Sequence, residues 1–187
     1  MAPYDQTLAR VETYFDKTAT KTWERLTSDA PVSKVRETVR QGRDRMRALI
    51  LSRLPADLSG ARVLDAGCGA GQMTAELAAR GAEVEAVDIS PSLVQIAEAR
   101  LPDHLRRKVR FSCGDMLDKR LGRFDHAVAM DSLIYYSAED IGSALHQLGS
   151  RVSDTIVFTV APRTPMLMGM WYVGKLFPQS DRSPVMV

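Results

Sequence analysis

The stretch that decides the fold is residues 63–71, which read VLDAGCGAG. A short apolar run leads into an acidic residue, and glycines follow at positions 67, 69 and 71. A buried parallel strand that passes through a glycine-rich turn into a helix lets the backbone approach a ligand closely at the N-terminus of that helix. The pattern therefore predicts a site for a nucleotide-like cofactor, with Gly67 and Gly69 making room for it.

The acidic residues near this turn favour S-adenosylmethionine over a nicotinamide dinucleotide. Asp65 stands at the tip of the first strand, where it would face the pyrophosphate of a dinucleotide unfavourably. S-adenosylmethionine instead brings an ammonium and a sulfonium, and both suit a carboxylate. A second apolar segment at residues 83–89 (EVEAVDI) contains Asp88 at the spacing expected for a carboxylate that accepts two ribose hydroxyls. We therefore predict S-adenosylmethionine as the cofactor.

Two further strand tips supply candidate site residues. Residues 109–115 read VRFSCGD, which places Asp115 beside the adenine as an acceptor for its exocyclic amine, with Met116 covering the ring. The fourth strand ends near Asp131, followed by Tyr135 and Tyr136, and we expect this tip to face the methyl group and the substrate. Each tyrosine fits two roles equally well: a structural role, with its ring packed in the fold, or a catalytic role.

Alternating apolar and helical segments predict an α/β fold. Strands are expected at residues 62–64, 83–89, 109–112, 126–130 and 155–160, and helices at residues 72–80, 92–101 and 138–151. Strands separated by helices favour a Rossmann-like parallel sheet with helices on both faces and ligands at the carboxyl ends of the strands. An amphipathic helix at residues 34–54 comes first. We therefore expect a helical N-terminal arm over residues 1–55 and a cofactor-binding domain over residues 56–187.

Composition indicates where the protein works and what it binds. The chain has 187 residues and a formal net charge of +2, with 11 Lys and Arg against 7 Asp and Glu in residues 1–55. Two cysteines are too few for a disulfide framework, and the N-terminus lacks the pattern of a signal peptide, so we expect a cytoplasmic protein. No spacing typical of metal ligands occurs, so no protein-bound metal is expected.

A stripe of arginines follows one face of the helix predicted at residues 34–54. Its members are Arg36, Arg40, Arg43 and Arg47, spaced by three or four positions. We interpret the stripe first as a solvated face. The alternative is an anionic partner, which could be a substrate carboxylate, an acidic protein or a membrane surface.

Residues 62–162 resemble the class I S-adenosylmethionine-dependent methyltransferases. The segments YFDKTATKTWERL from residue 14, LIYY at 133–136 and PRTPMLMGMWYVGKLFP from residue 162 resemble, more narrowly, the magnesium-protoporphyrin IX O-methyltransferases of purple photosynthetic bacteria. The resemblance implies methyl transfer to a propionate carboxylate of magnesium protoporphyrin IX, giving the 13-monomethyl ester and S-adenosylhomocysteine in bacteriochlorophyll biosynthesis. It also implies contact with the large subunit of magnesium chelatase and a peripheral association with the photosynthetic membrane, and no nucleic acid partner. Magnesium arrives inside the porphyrin.

The resemblance also assigns residue roles. Cofactor contacts carry over, at matching motif positions, to Asp65, Gly67, Gly69, Asp88, Asp115 and Met116, and we add Asp131 at the tip of the fourth strand. Members of the family have a tyrosine-phenylalanine pair in the arm, here Tyr14 and Phe15, and a histidine where this chain has Tyr135. A propionic acid is ionised at neutral pH, so no base is required. We therefore predict Tyr14 and Tyr135 as the catalytic residues, which position the substrate by hydrogen bonding the propionate or ligating the magnesium.

Other interpretations stay open. Class I methyltransferases continue with a sixth and a seventh strand, whereas residues 162–187 predict one helix, so the chain resembles a C-terminally truncated member whose fifth strand is an exposed edge. One alternative is another small-molecule O-methyltransferase, such as one acting on a quinone precursor, although a phenol would need a base or a metal. The other is a non-catalytic fragment that binds S-adenosylmethionine or porphyrin.

Overall fold

The computed structural model of the chain describes residues 3–15 and 34–160. Within these two ranges, two helices precede the first strand, namely α1 (Pro3–Tyr14) and α2 (Lys34–Leu51). The expected helix at residues 34–54 therefore ends earlier than predicted, in a turn before Pro55. The helix predicted within residues 162–187 and the predicted lack of a sixth and a seventh strand both concern residues outside the described ranges.

The remaining elements alternate as the sequence predicts. In chain order they are β1 (Arg62–Ala66), α3 (Gln72–Ala79), β2 (Glu83–Asp88), α4 (Pro91–Arg100), β3 (Val109–Cys113), β4 (Phe124–Ala129), α5 (Ala138–Gly149) and β5 (Val152–Phe158). Short 3-10 helices lie at Asp103–Lys108, Lys119–Leu121 and Leu133–Tyr135. Helix α4 begins at Pro91, one residue before the predicted start at 92, because Ser90 caps it through the Leu93 N–H and the proline suits the first turn.

The five described strands form one parallel sheet in the order β3-β2-β1-β4-β5. This order confirms the predicted Rossmann-like fold. The chain winds outward in one direction from β1 to β3 and in the other from β4 to β5, so a crevice opens at the carboxyl ends of β1 and β4. The glycine turn after β1 and the tip of β4 therefore face each other across the place where a ligand binds in such sheets.

The buried residues of α1 and α2 belong to two separate apolar clusters, one on each face of the sheet. Val11 and Phe15 pack in one buried cluster with Leu64 of β1. Ile50 packs in the second cluster with Val63, the neighbouring residue of the same strand. Successive strand residues point to opposite faces, so α1 and α2 lie on opposite sides of the sheet.

Strand β5 is the last strand of the described sheet, and exposed apolar residues lie at its end and just after it. Phe158, its last residue, is 39% exposed, and Val160 is 52% exposed. Within the residues that the structure describes, no helix has the length and apolarity needed to cross a membrane.

Candidate cofactor and substrate cleft

The glycine turn after β1 adopts a backbone that glycine favours and touches the tip of β4. Gly67 has a φ of 83°. Its N–H and that of Cys68 donate to the carbonyl of Val87 at 2.8 and 3.0 Å, which ties the turn to β2. A Cβ on Gly67 would lie 2.4 Å from the Cβ of Ser132, whereas a Cβ on Gly69 would meet nothing within 4 Å. The turn is thus closed at Gly67 and open toward a ligand at Gly69.

A cleft opens at the carboxyl ends of the first four strands and holds about 970 Å³ of empty space, its mouth included. It brings together residues that the sequence had placed at separate strand tips: Asp65, Gly67, Gly69, Asp88, Asp115, Met116, Asp131 and Tyr135 all line it. A cleft that has a few charged groups among apolar ones is the usual form of a small-molecule site.

Asp88 is held by the turn and also organises it. Its Oδ2 accepts from the N–H of Gly69 at 2.8 Å, and its Oδ1 accepts from the N–H of Ser90 at 2.9 Å. Each carboxylate oxygen has a second lone pair. Asp88 can therefore accept from two ribose hydroxyls while it keeps the glycine turn in place.

Asp65 lies deepest in the cleft. It is 1% exposed, and the hydroxyl of Thr74 on α3 donates to its Oδ2 at 2.6 Å. Burial raises the pKa of Asp65 to about 7, the charge of Asp88 adds to the rise, and the Thr74 hydrogen bond opposes it. A cation next to this carboxylate would offset the cost of burying its charge.

We expect Asp65→Asn to change how stability depends on pH. The ordinary carboxyl pKa is near 4, so between about pH 4 and pH 7 the folded protein holds a proton that the unfolded chain releases. The stability that this proton provides is lost as the pH rises through that range. The asparagine side chain does not ionise. The free energy of unfolding of the variant, measured with urea, should therefore rise relative to that of the wild type as the pH increases from about 5 to about 8.

Asp118→Asn is the control for this measurement. Its carboxylate caps a 3-10 turn near the surface, and hydrogen bonding from Arg120 lowers the pKa of Asp118 to about 2. Asp118 is ionised in both states over the tested range, so that variant should run parallel to the wild type. Parallel curves for Asp65→Asn as well would contradict a raised pKa at Asp65.

Helix α1 forms one wall of the cleft, and the sequence did not predict which of its residues lie there. The Tyr4 hydroxyl donates to Oδ1 of Asp115 at 2.8 Å, and its ring stacks on Tyr136 with centroids 5.0 Å apart. Leu8 and Val11 of the same helix line the cleft. Tyr4 and Asp115 are 111 positions apart, so no local pattern pointed to their contact.

Of the predicted Tyr14 and Phe15 pair, Phe15 lines the cleft. Its ring meets that of Tyr135 edge to face at 5.6 Å, and Tyr14 packs behind it at 5.2 Å. Tyr14 is half-buried and is not among the described residues of the cleft wall. Its catalytic role stays a prediction, whereas Tyr135 lies at the place where the sequence expected it.

The arginine stripe on α2 is not a solvated face, so that interpretation was wrong. The side chains of Arg40, Arg43 and Arg47 are 20%, 19% and 17% exposed. Arg43 and Arg47 line the cleft, and Arg43 forms an ion pair with Asp131. Helical spacing shows which residues share a face but not what that face meets. The side chain of Arg36 lies outside the described part.

Asp131 has an unusual backbone at the tip of β4. Its φ is 59°, the one positive value among the described non-glycine residues. The N–H of Asp131 donates to the hydroxyl of Thr159 at 2.7 Å, and the carboxylate pairs with Arg43. Strained residues that their surroundings hold in place cluster at functional sites. Within residues 3–15 and 34–160, no three His, Cys, Asp or Glu side chains are grouped to hold a metal ion.

Comparisons with known proteins cover almost the whole chain. A family profile described as magnesium-protoporphyrin IX methyltransferase C-terminus matches residues 129–187, and one described as methyltransferase domain matches residues 63–154. The chain is 63% identical over 185 residues to the magnesium-protoporphyrin O-methyltransferase of Rhodobacter capsulatus, covering 98% of this chain and 83% of that protein. It is 31% identical over 183 residues to the protein of the same name from Synechocystis, covering 96% and 78%.

A solved structure shares the fold. It is the magnesium protoporphyrin IX methyltransferase from Synechocystis PCC 6803 with bound SAH, and it superposes with a TM-score of 0.79 at 29% identity. The match covers 95% of this chain and 81% of that one. The likeness therefore includes the arm as well as the sheet.

Proposed function

Because the chain belongs to the magnesium-protoporphyrin O-methyltransferase family, we propose that it transfers the methyl group of S-adenosylmethionine to a propionate carboxylate of magnesium protoporphyrin IX. It is an S-adenosylmethionine-dependent O-methyltransferase with a Rossmann-like fold. The products of the proposed reaction are the 13-monomethyl ester and S-adenosylhomocysteine, in bacteriochlorophyll biosynthesis. The observation that carries the proposal is one cleft with acceptors for a nucleoside at one end and the Arg43–Asp131 pair beside Tyr135 at the other.

The residues of the cleft fit the cofactor. The open position at Gly69 leaves room for the methionine part, and the buried Asp65 suits its ammonium. Asp88 would accept from the ribose hydroxyls and Asp115 from the adenine amine, with Met116 against the ring. When bound, S-adenosylmethionine supplies a methyl group that is activated by the positive charge on its sulfur.

Carboxylate methylation requires the protein to position the substrate and does not require a general base. A propionate is already ionised at neutral pH, because carboxyl groups have pKa values of about 4 to 5. The protein must align the carboxylate oxygen with the methyl carbon and exclude water. Tyr135 is 4% exposed, and burial raises its pKa, so its hydroxyl stays protonated as a hydrogen-bond donor. Phe15 closes the cleft beside it.

Tyr135→Phe should weaken substrate binding more than it slows the chemical step. Loss of one hydrogen bond to a charged carboxylate is expected to raise KM by about tenfold while kcat stays within a few-fold. Initial rates at several porphyrin concentrations measure both constants. Tyr136→Phe is the matched control, because that ring stacks on Tyr4 at the nucleoside side and should leave the KM for porphyrin unchanged. Near-complete loss of kcat in Tyr135→Phe, with substrate binding unchanged, would instead count against a merely positioning role for Tyr135.

The direct test of the proposed function uses S-adenosylmethionine with a labelled methyl group. The purified chain is mixed with magnesium protoporphyrin IX and, separately, with a phenolic quinone precursor, and labelled products are separated by chromatography. Labelled porphyrin monomethyl ester supports the proposal, and a labelled quinone precursor alone supports the other O-methyltransferase. Binding of S-adenosylhomocysteine without any product supports a non-catalytic fragment.

From the resemblance we also propose that the protein contacts the large subunit of magnesium chelatase and that it works in the cytoplasm, in peripheral association with the photosynthetic membrane. The side chains of Arg43 and Arg47 are largely buried and line the cleft, so they face its interior. Co-purification with the chelatase subunit and co-sedimentation with anionic lipid vesicles, measured on one sample, test the two contacts. Absence of both would leave free diffusion of the porphyrin as the route of supply.

A further inference from the structure

The substrate end of the cleft contains a largely buried ion pair that the steps above do not use. Arg43 on α2 pairs with Asp131 at the tip of β4, and the two side chains are 19% and 18% exposed. They stand 88 positions apart in the chain, and both line the cleft. Withdrawing two charges from water is costly, and a buried pair is therefore weak evidence of a purely stabilising role.

Three residues with hydrogen-bond donors line the cleft at this end. The guanidinium of Arg43 is the first, and the hydroxyl of Tyr135, within electrostatic range of both Arg43 and Asp131, is the second. The hydroxyl of Ser132 is the third, and it is buried with no hydrogen-bond partner among the described residues. A planar guanidinium binds a carboxylate through two parallel hydrogen bonds, and hydroxyls can donate to the same oxygens. This set of donors fits a carboxylate ligand.

We propose that Arg43 exchanges Asp131 for the substrate carboxylate that accepts the methyl group, which makes Arg43 a specificity-determining residue. The inference rests on the proposed function, because it assigns the anionic ligand of that reaction to one side chain. Both carboxylate oxygens accept from Arg43, and one of them presents its second lone pair to the methyl carbon. The strained backbone of Asp131 and its bond from the main chain to Thr159 keep the exchanged carboxylate in place.

Charge balance makes the exchange reversible within one turnover. Before transfer, the positive charges on the sulfonium and Arg43 are matched by Asp131 and the substrate carboxylate. In the transfer, an oxygen lone pair forms the bond to the methyl carbon, the carbon–sulfur bond breaks with its electron pair going to sulfur, and no proton moves. The ester and the thioether are both neutral. The neutral ester no longer attracts the guanidinium of Arg43, whereas Asp131 still does, so forming the product removes the anchor that held the substrate.

The test measures how much each carboxylate of the porphyrin contributes to binding. Three ligands are used: magnesium protoporphyrin IX with two carboxylates, its monomethyl ester with one, and its dimethyl ester with none. Affinities for the wild type, Arg43→Gln and Arg43→Lys are measured by porphyrin fluorescence with S-adenosylhomocysteine present. Arg45→Gln is the matched control, because Arg45 lies on the same helix with an exposed side chain.

We expect the wild type to bind the monomethyl ester about tenfold more weakly than the substrate, and Arg43→Gln to bind both equally. Arg43→Lys should restore part of the difference, since it keeps the charge but not the fork. Arg45→Gln should behave as the wild type. If Arg43→Gln instead removes a difference between the monomethyl and dimethyl esters, Arg43 holds the other carboxylate and the proposal is overturned. Unchanged preferences in Arg43→Gln also overturn it.

A second variant protects the test against misfolding. Arg43→Gln leaves Asp131 without its guanidinium, and a half-broken buried pair destabilises a protein strongly. The double variant Arg43→Gln with Asp131→Asn removes both charges, so its free energy of unfolding in urea should return toward that of the wild type, but it should still fail to distinguish substrate from monomethyl ester. Methyl transfer by the wild type is measured in parallel. If the wild type transfers no methyl group, the proposed function is contradicted. If the wild type transfers the methyl group but the Arg43 variants keep the wild-type ligand preferences, only this inference is contradicted.

Discussion

Asp88→Ala is expected to lower the affinity for S-adenosylhomocysteine by a hundredfold or more. Two hydrogen bonds from ribose hydroxyls to a carboxylate contribute about 1.5–3 kcal/mol each, and about 1.4 kcal/mol corresponds to a factor of ten in affinity. The substitution also leaves the backbone N–H groups of Gly69 and Ser90 without their acceptor. Both effects act on the same turn, so the loss should be among the largest that one side chain can cause here.

Calorimetric titration measures this loss, and a ligand variant separates its two causes. S-adenosylhomocysteine that lacks the ribose hydroxyls should bind the wild type weakly, and Asp88→Ala should weaken it further only by the disorder of the turn. Asp118→Ala is the control, because that aspartate also accepts from a backbone N–H but lies away from the cleft. If Asp88→Ala discriminates between the two ligands as strongly as the wild type does, Asp88 does not bind the ribose.

Gly67→Ala should destabilise the fold and weaken cofactor binding together. A side chain at a φ of 83° costs about 1–2 kcal/mol, and overpacking adds about 1–3 kcal/mol, because the new Cβ would lie 2.4 Å from that of Ser132. Relief requires the turn to move by about 1 Å, and misplacement of that size can cost about a hundredfold at a functional site. Urea unfolding and titration with S-adenosylhomocysteine measure the two effects.

Gly60→Ala is a matched control for the strain alone. Gly60 has a φ of 81°, and a Cβ there would meet nothing within 4 Å. It should lose only about 1–2 kcal/mol and bind the cofactor normally. Adding Ser132→Gly to Gly67→Ala should recover the steric part of the loss. Equal losses in Gly60→Ala and Gly67→Ala would show that the turn and the tip of β4 are not in tight contact.

Strand boundaries show how far local patterns reach. Strand β4 begins at Phe124 rather than at the predicted 126, and β5 begins at Val152 rather than at 155. Phe124 and Val152 pair with each other across an irregularity in register. Pairing between strands extended both elements, and a sequence taken alone does not contain that information.

The arm shows a deeper limit of sequence analysis. The resemblance predicted an arm near the site and named Tyr14 and Phe15, yet the described wall contains Phe15 together with Leu8 and Val11. The periodicity of α2 identified the stripe with Arg43 correctly but interpreted it as solvated. Which face of a helix meets the sheet depends on the angle at which it docks, and that angle follows from packing across the whole fold.

The sequence by itself determined the parallel α/β fold, the glycine turn and the carboxylates at the strand tips, including Asp65, Asp88 and Asp115. These features follow from short-range patterns, since a turn with positive φ needs glycine and a buried strand needs an apolar run. Only the tertiary structure decided that Tyr4 meets Asp115 and that Arg43 meets Asp131. Those contacts join residues far apart in the chain, and they exist because α1 and α2 fold back over the carboxyl ends of the sheet.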